Sequence, residues 1–428
     1  MIKFTIVPRT YVSRRGPGTA ANTSKWGRTN MIDEALYEAG KRPSTIFQLF
    51  EYGMKQAAIV GKENVYDYSL GNPSVPSPSQ VTAAFQQLLD QTDPLALHSY
   101  TVSVGDMDTR RAIAAGLSAR GGMTIRPQNL FLTCGAAPAL LYILRALAVE
   151  QAEIVALTPY FPEYQIFVEA CGARFVPTEA DLTAFQINFD SLERRISPRT
   201  QAVIVNSPNN PTGVIYTRET LARLAALLTR KSREYGHPVY IIADEPYREL
   251  VYDGAEVPFL PGVYPDTVIC YSYSKSLSLP GERIGYFCIP DAAADSERLY
   301  TAASAAARMM GHVCAPSLQQ KVIRLCSDVG PQLEIYDKNR LTLYRALTSY
   351  GYRCVYPNGA FYLFVEAPGG NAKAFSDRAR EDNLLVVPGG DFGCPAFFRL
   401  STCVSSEMVE RSLPVFEKLA AFNEMGAR

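Results

Sequence analysis

Ala202-Val-Ile-Val-Asn206-Ser-Pro-Asn-Asn-Pro-Thr-Gly213 starts as an apolar run and ends in a polar turn. The same grammar recurs in Val239-Tyr-Ile-Ile-Ala-Asp244-Glu-Pro-Tyr247 and in Val268-Ile-Cys-Tyr-Ser-Tyr-Ser-Lys275. Runs of four to six residues, apolar on both faces and rich in Val and Ile, read as strands buried on both sides. Asn129–Thr133 and Glu153–Thr158 upstream have the same character. Between them, Pro138–Val149 and Thr217–Tyr235 carry apolar residues at three- and four-residue steps, the spacing of a helix with one buried face. Strands alternating with helices imply βαβ units and a mostly parallel sheet. Arg283–Ile289 is a further strand. Its connection from Val268–Tyr271 is too short for a parallel crossover, so it pairs antiparallel or sits elsewhere.

Beyond about residue 310 the pattern changes. A long helical stretch, Pro316–Ser349, leads into Gly351–Tyr356, Gly359–Val365, a helix, Leu384–Val387, Phe397–Ser401 and a final helix. The expected fold class is therefore α/β, a three-layer sandwich on a mostly parallel mixed sheet, joined to a smaller α+β domain. Expected boundaries are a poorly ordered tail at 1–30, a segment at 31–76 joining the small domain, a large domain at 77–310 and the small domain at 311–428. A cleft should lie between the two domains.

Composition narrows the function. Of 428 residues, 47% are apolar and 20% charged, which suits a soluble globular protein with a large core. Lys plus Arg equals Asp plus Glu, 42 each, so no net charge draws the chain to nucleic acid or an anionic membrane. No apolar run reaches the roughly 20 residues that span a bilayer. The nine cysteines form no C-x-x-C pair and several lie in apolar runs, as expected of reduced, buried thiols in a cytoplasmic protein. Three histidines at no ligand spacing make a zinc site unexpected, and no metal is expected. Residues 1–32 carry six Lys or Arg and no acid, but Gly16-Pro-Gly18 breaks any amphipathic targeting helix.

Parallel sheets bind ligands beyond the carboxyl ends of their strands, and polar residues gather at those points here. Cys134-Gly-Ala-Ala137 follows the first strand, where small residues at a helix start leave N–H groups free for a phosphate; alone it reads equally as a tight strand–helix turn. Ser207–Gly213 is a rigid turn with two amides, or simply a lead into the next helix. Asp244, with Tyr247 three residues on, can address a ring nitrogen and a ring hydroxyl, or Asp244 can cap a helix. Ser272, Ser274 and Arg283 suit a phosphate ester. Lys275 among them, desolvated and near other cations, would have a lowered pKa and act as a nucleophilic amine; by itself it would pass for a surface lysine. Four such loops in one order are hard to reconcile with chance.

On these residues the chain resembles the class I/II aminotransferases, the aspartate-aminotransferase-like branch of fold type I pyridoxal-phosphate enzymes, from about residue 66 to 423. The distinctive motifs are Asn210-Pro-Thr-Gly213, Asp244-x-x-Tyr247 and Ser272-x-Ser-Lys275 with Arg283 eight residues on. Leu70-Gly-Asn-Pro73, Tyr100 with Gly105, Pro159-Tyr-Phe161, Gly359-Ala-Phe-Tyr362 and Val387-Pro-Gly-Gly-x-Phe-Gly393 add weaker matches. The resemblance implies that Lys275 carries pyridoxal 5′-phosphate as a Schiff base and later shuttles a proton. It implies that Asp244 pairs with the pyridinium nitrogen, that Tyr247 and Asn210 bond the ring oxygen, and that Phe161 stacks on the ring. Gly135, Ala136, Ala137, Ser272, Ser274 and Arg283 would hold the phosphate, reached by Tyr100 from the partner subunit of a homodimer. Arg399, helped by Gly71 and Asn210, would clamp the substrate carboxylate. An amino group would then pass from an L-amino acid to a 2-oxo acid in two half-reactions.

Substrate identity is less legible. Some relatives place a lysine at the position of Ala137 for a second carboxylate, and this chain does not. Arg308 lies near where others have a partner-subunit arginine for that group, though a structural or surface role is the plainer reading; an aromatic or alanine-type donor is open. Other readings are a lyase or decarboxylase on the same scaffold, a pyridoxal-phosphate-binding regulator, and an inactive scaffold. Residues 1–65 are too short and too poor in helix-turn-helix pattern for a regulator's DNA-binding module. Joint presence of Lys275, Asp244 and Arg399 argues against an inactive scaffold.

Overall fold

The computed structural model describes residues 32–41 and 44–421. The tail expected at 1–30 lies outside them. The chain divides between Gln48 and Leu49 into two compact units. The first contributes a short helix, Glu34–Gly40, with a Lys41–Glu38 ion pair at 2.7 Å. Everything below concerns the second.

Its centre is a seven-stranded sheet built from β1 (Leu130–Thr133), β2 (Glu153–Ala156), β3 (Arg174–Pro177), β4 (Thr200–Asn206), β5 (Tyr240–Asp244), β6 (Thr267–Ser272) and β7 (Gly285–Cys288). The spatial order is β1-β7-β6-β5-β4-β2-β3. All neighbours run parallel except β7, which is antiparallel to both β1 and β6. The short link into β7 forces that reversal, as its length predicts.

Alternation across the pleat explains why these runs are apolar throughout. Ile154, Ala202, Ile204, Ile242 and Val268 face one layer of helices, packing with Ile143, Val168 and Leu299. Val155, Val203, Val205, Ile241 and Ala243 face the other, packing with Leu221, Leu224 and Leu228. The result is a three-layer sandwich. The longest crossover helix, Arg218–Tyr235, starts where Thr217 Oγ1 accepts the Thr220 N–H at 3.0 Å and stops at Gly236, whose φ of 75° suits glycine. Each leucine it buries contributes about 1.5–3 kcal/mol, so its apolar face outweighs its backbone propensity.

One strand of this sheet escapes the sequence reading. β3 sits at the sheet edge with its first residue, Arg174, exposed, so it lacks the all-apolar signature of its neighbours. One expected element also divides. Pro316–Ser349 is two helices, Ser317–Leu325 and Glu334–Ser349, because Gly330-Pro331 removes a donor and restricts the preceding backbone.

The smaller α+β part holds β8 (Tyr362–Glu366), β9 (Val387–Pro388) and β10 (Phe397–Ser401) in the antiparallel order β9-β10-β8. The expected strand at Leu384–Val387 serves two sheets: Leu384–Leu385 pairs in parallel with Tyr66–Asp67, and β9 begins at Val387. Helices Glu334–Ser349, Ala372–Glu381 and Ser406–Leu419 bury Leu343, Phe375 and Phe416 against Phe398 and Tyr68. No helix among the described residues is long and apolar enough to cross a membrane.

Candidate active site

Strands β4, β5 and β6 lie side by side and end at Asn206, Asp244 and Ser272. Most of the side chains singled out from the sequence converge on that edge. Asn206 ties two strand ends together: its amide nitrogen donates to the Asp244 carbonyl at 2.8 Å, and its Oδ1 accepts the Asn210 N–H at 2.7 Å. The Asn210 turn is thereby fixed beside Asp244.

Asp244 is buried, and the turn after it contains no helix for it to cap. Its Oδ2 accepts a 2.5 Å hydrogen bond from the Tyr164 hydroxyl, while Oδ1 is buried without a partner among the described residues. Burial pushes this carboxyl up to about 7, against the pull of the Tyr164 hydrogen bond. An unpartnered buried carboxylate oxygen costs free energy unless a cation or donor meets it. Phe161 crosses Tyr164 edge-on at 5.6 Å, which brings it to the same pocket.

Lys275 follows β6 by three residues. Its Nζ donates to the Gly71 carbonyl at 2.7 Å and lies 5.7 Å from the centre of the Phe361 ring. Burial lowers its pKa to about 8; the guanidinium groups of Arg399 and Arg283 push the same way, and Cys403 opposes them. A substantial share of such an amine is neutral near pH 8, the form that attacks a carbonyl.

A polar cluster surrounds the same loop. The hydroxyls of Ser272 and Ser274 are 2.7 Å apart, Arg283 Nη1 reaches Ser274 Oγ at 3.5 Å, and Nη2 donates to the Cys134 carbonyl at 3.1 Å. Gly135 starts helix Ala136–Leu147 with φ 99°, and a Cβ there would fall 2.6 Å from Arg283 Nη2. A Cβ on Gly285 would strike the Tyr271 carbonyl at 2.3 Å and the Gly135 backbone at 2.9 Å. Glycine at both positions lets β6, β7 and the helix start approach closely, with Ala136 and Ala137 in the first helical turn.

Arg399, in the middle of β10, is 2% exposed. Nη1 donates to Asn210 Oδ1 at 3.1 Å and Nη2 to the Ser69 carbonyl at 2.5 Å, while Nε has no partner among the described residues. Tyr362 lies under the guanidinium at 4.7 Å and reaches the Tyr247 hydroxyl at 3.0 Å. Burial, together with the neighbouring Tyr362, holds the Tyr247 phenol well above its ordinary pKa.

Tyr100 and Arg308 do not join this cluster: Tyr100 is 85% exposed, and Arg308 is exposed near the end of helix Ser296–Met309. Three contributors went unassigned in the sequence reading. Tyr164 bears no local mark beyond following Phe161 by three residues. Tyr362 belongs to a motif quoted above but has no role that its neighbours in sequence reveal. Cys403 reads as one more buried thiol, yet its Sγ lies 2.7 Å from Ser401 Oγ, close enough to Lys275 and Arg399 to feel both charges.

Comparison with known proteins points to one family. The family model described as aminotransferase class I and II matches residues 63–415. An amino transferase structure from Eubacterium rectale superposes with a TM-score of 0.89 at 50% identity, over 91% of this chain and 98% of that one. The aspartate/prephenate aminotransferase of Thermus thermophilus is 30% identical over 361 residues, 82% of this chain and 89% of that protein. The aromatic-amino-acid aminotransferase 2 of Thermococcus litoralis is 26% identical over 391 residues, 88% and 95% respectively. With more than half its length matched by that family model, and with strand ends, lysine and buried carboxylate arranged as described, the chain belongs to the class I and II aminotransferases.

Proposed function

We infer that the protein is a pyridoxal-phosphate-dependent aminotransferase moving an amino group from an L-amino acid to a 2-oxo acid. The observation that carries the cofactor reading is the Oδ1 of Asp244, buried and unpartnered among the described residues, on the strand next to the one that leads into Lys275. A protonated ring nitrogen meets the need of that oxygen. An opposite unit charge about 4 Å away is worth about 4 kcal/mol at an effective dielectric near 20, before desolvation. Ser272, Ser274, Arg283 and the start of helix Ala136–Leu147 offer hydroxyls, a guanidinium and free N–H groups for a phosphate.

When bound, the cofactor supplies a carbonyl for the amine and a ring that takes up the electron pair left at Cα. The chain does the rest. Asp244 keeps the ring nitrogen protonated, Tyr247 and Asn210 hold the ring oxygen, and Phe161 covers the ring face. Arg399 receives the substrate carboxylate through Nε, which has no partner among the described residues, beside Asn210 and Gly71. Lys275 Nζ, as the free amine, would take the Cα proton of the substrate and deliver it to the carbon of the cofactor that had been the carbonyl.

For the amino donor, the aspartate-like and aromatic classes fit best, since the relatives above carry those names. Arg308 is proposed as a side-chain carboxylate ligand delivered to the partner subunit. With Tyr100 it lies among exposed Val102, Met309 and Val313, a face suited to a homodimer that shares its sites. His312 Nε2 lies 3.2 Å from the Ser103 carbonyl and joins the two segments. Nine free thiols support a reducing, cytoplasmic setting. The test is an absorption titration of the pyridoxal-phosphate-loaded protein with a panel of amino acids. Donors should convert the cofactor band to that of the aminated form and release a 2-oxo acid. Release of ammonia with pyruvate, or of carbon dioxide, would instead identify a lyase or a decarboxylase.

A further inference from the structure

Tyr362 stands where three parts of the site meet. It opens β8, pairs with Ser401 across the small sheet and is 3% exposed. Its hydroxyl lies 3.0 Å from that of Tyr247, its one hydrogen-bond partner among the described residues, and the two rings cross at 80°. Its ring face carries the Arg399 guanidinium at 4.7 Å. On the third side it meets Gly71. A Cβ there would lie 2.1 Å from the Tyr362 hydroxyl, so only glycine leaves room, and the Gly71 carbonyl is the one that holds Lys275.

A hydroxyl donates once and accepts as well. Two facing hydroxyls therefore share one proton along their line and leave the other free to point elsewhere. If Tyr247 addresses an anionic ring oxygen, its own proton goes there and the proton on the line must come from Tyr362.

We propose that Tyr362 is a positioning residue: it donates to Tyr247, directing the Tyr247 proton at the cofactor's ring oxygen, while its ring holds Arg399 ready for the substrate carboxylate. The proposal rests on the reading that pyridoxal phosphate binds here. Accepting a hydrogen bond makes Tyr247 a stronger donor, so Tyr362 supports negative charge on an oxygen it does not touch. The charged and titratable groups facing the tyrosine pair are Arg399, Asp244, Cys403 and, beside Tyr247, Tyr164, whose own proton goes to Asp244. None of them offers Tyr247 the missing proton in this geometry.

The test is a spectroscopic pH titration of the cofactor-loaded protein, with acetate binding as a separate probe of Arg399. Raising the pH removes the proton that shields the anionic ring oxygen, so weaker support for that oxygen moves the midpoint up. Tyr362→Phe should raise it by about half to one pH unit and leave acetate affinity unchanged. Tyr362→Leu, which also removes the ring, should add a three- to tenfold loss of acetate affinity, about the worth of the cation–π contact. In a Tyr247→Phe background, Tyr362→Phe should shift nothing further. Should Tyr362→Phe fail to fold, difluorotyrosine at position 362 keeps the shape, strengthens the donor and should move the midpoint down. An unmoved midpoint in Tyr362→Phe, or an equal shift without the Tyr247 hydroxyl, overturns the proposal. A wild-type protein that takes up no pyridoxal phosphate overturns the cofactor reading, and this inference with it.

Discussion

Replacing Asp244 by asparagine should affect the cofactor-free and cofactor-loaded proteins in opposite directions. Burial raises this carboxyl from its ordinary 3.8 to about 7. At pH 8 the folded protein therefore holds a charge it disfavours by about 4 kcal/mol relative to the unfolded chain. Because the folded pKa is the higher one, the group's contribution to stability is fully present below about pH 4 and is lost as pH rises to about 7. Asparagine keeps an acceptor for Tyr164 and carries no charge, but its buried NH2 group goes unpartnered at a cost of about 1–3 kcal/mol. The balance favours the variant without cofactor, by about 1–3 kcal/mol at pH 8, and removes this group's pH dependence. With cofactor, asparagine loses the pairing with the ring cation, worth about 4 kcal/mol at an effective dielectric near 20. The assay is thermal melting of both proteins, with and without pyridoxal phosphate, at pH 5 and pH 8. Asp244→Asn should melt higher than wild type only without cofactor, and more so at pH 8. If it melts lower without cofactor yet keeps the full gain from cofactor, Asp244 is a structural carboxylate and the reasoning fails.

Three further outcomes follow from the same geometry. Arg399→Ala should cut kcat/KM for amino acid and 2-oxo acid by about a hundredfold or more, the cost of truncating a buried charge-assisted pair, mostly through KM; steady-state kinetics with both substrates would show it. Gly135→Ala places a Cβ 2.6 Å from Arg283 Nη2 at a φ of 99°, and equilibrium dialysis should find pyridoxal-phosphate affinity reduced about tenfold or more, since about 1.4 kcal/mol of displacement already costs that factor. In the cofactor-free protein, Lys275 should react with an acylating reagent with a pH midpoint near 8, whereas an ordinary lysine would show about 10.4; peptide mass mapping across pH reads it directly.

What was legible in the chain and what was not divide along physical lines. A central strand buried on both faces must be apolar throughout, so β4, β5 and β6 announced themselves, and the polar residues beyond their ends stood out against that background. An edge strand has no such obligation, and β3 passed unseen. Pro316–Ser349 misled because its apolar spacing continues on both sides of Gly330-Pro331, while the backbone does not. Within the site, Lys275, Asp244 and Arg399 are conspicuous because a buried charge demands an explanation. Tyr164 and Tyr362 matter through partners 80 and 115 residues away, and an aromatic residue in a core is unremarkable until the fold shows what its hydroxyl touches. Tyr100 and Arg308 are the reverse: exposed in one subunit, they gain meaning only if a second copy covers them.

Lys275 is expected to be the one amine that bonds the cofactor. Borohydride reduction of the pyridoxal-phosphate-loaded protein, followed by peptide mass mapping, tests it most directly. A pyridoxyl-phosphate group should appear on Lys275 at about one per chain, and Lys275→Ala should carry none and lose the half-reaction. A label that settles on another lysine, or a Lys275→Ala protein that converts donors at the wild-type rate, would contradict the account.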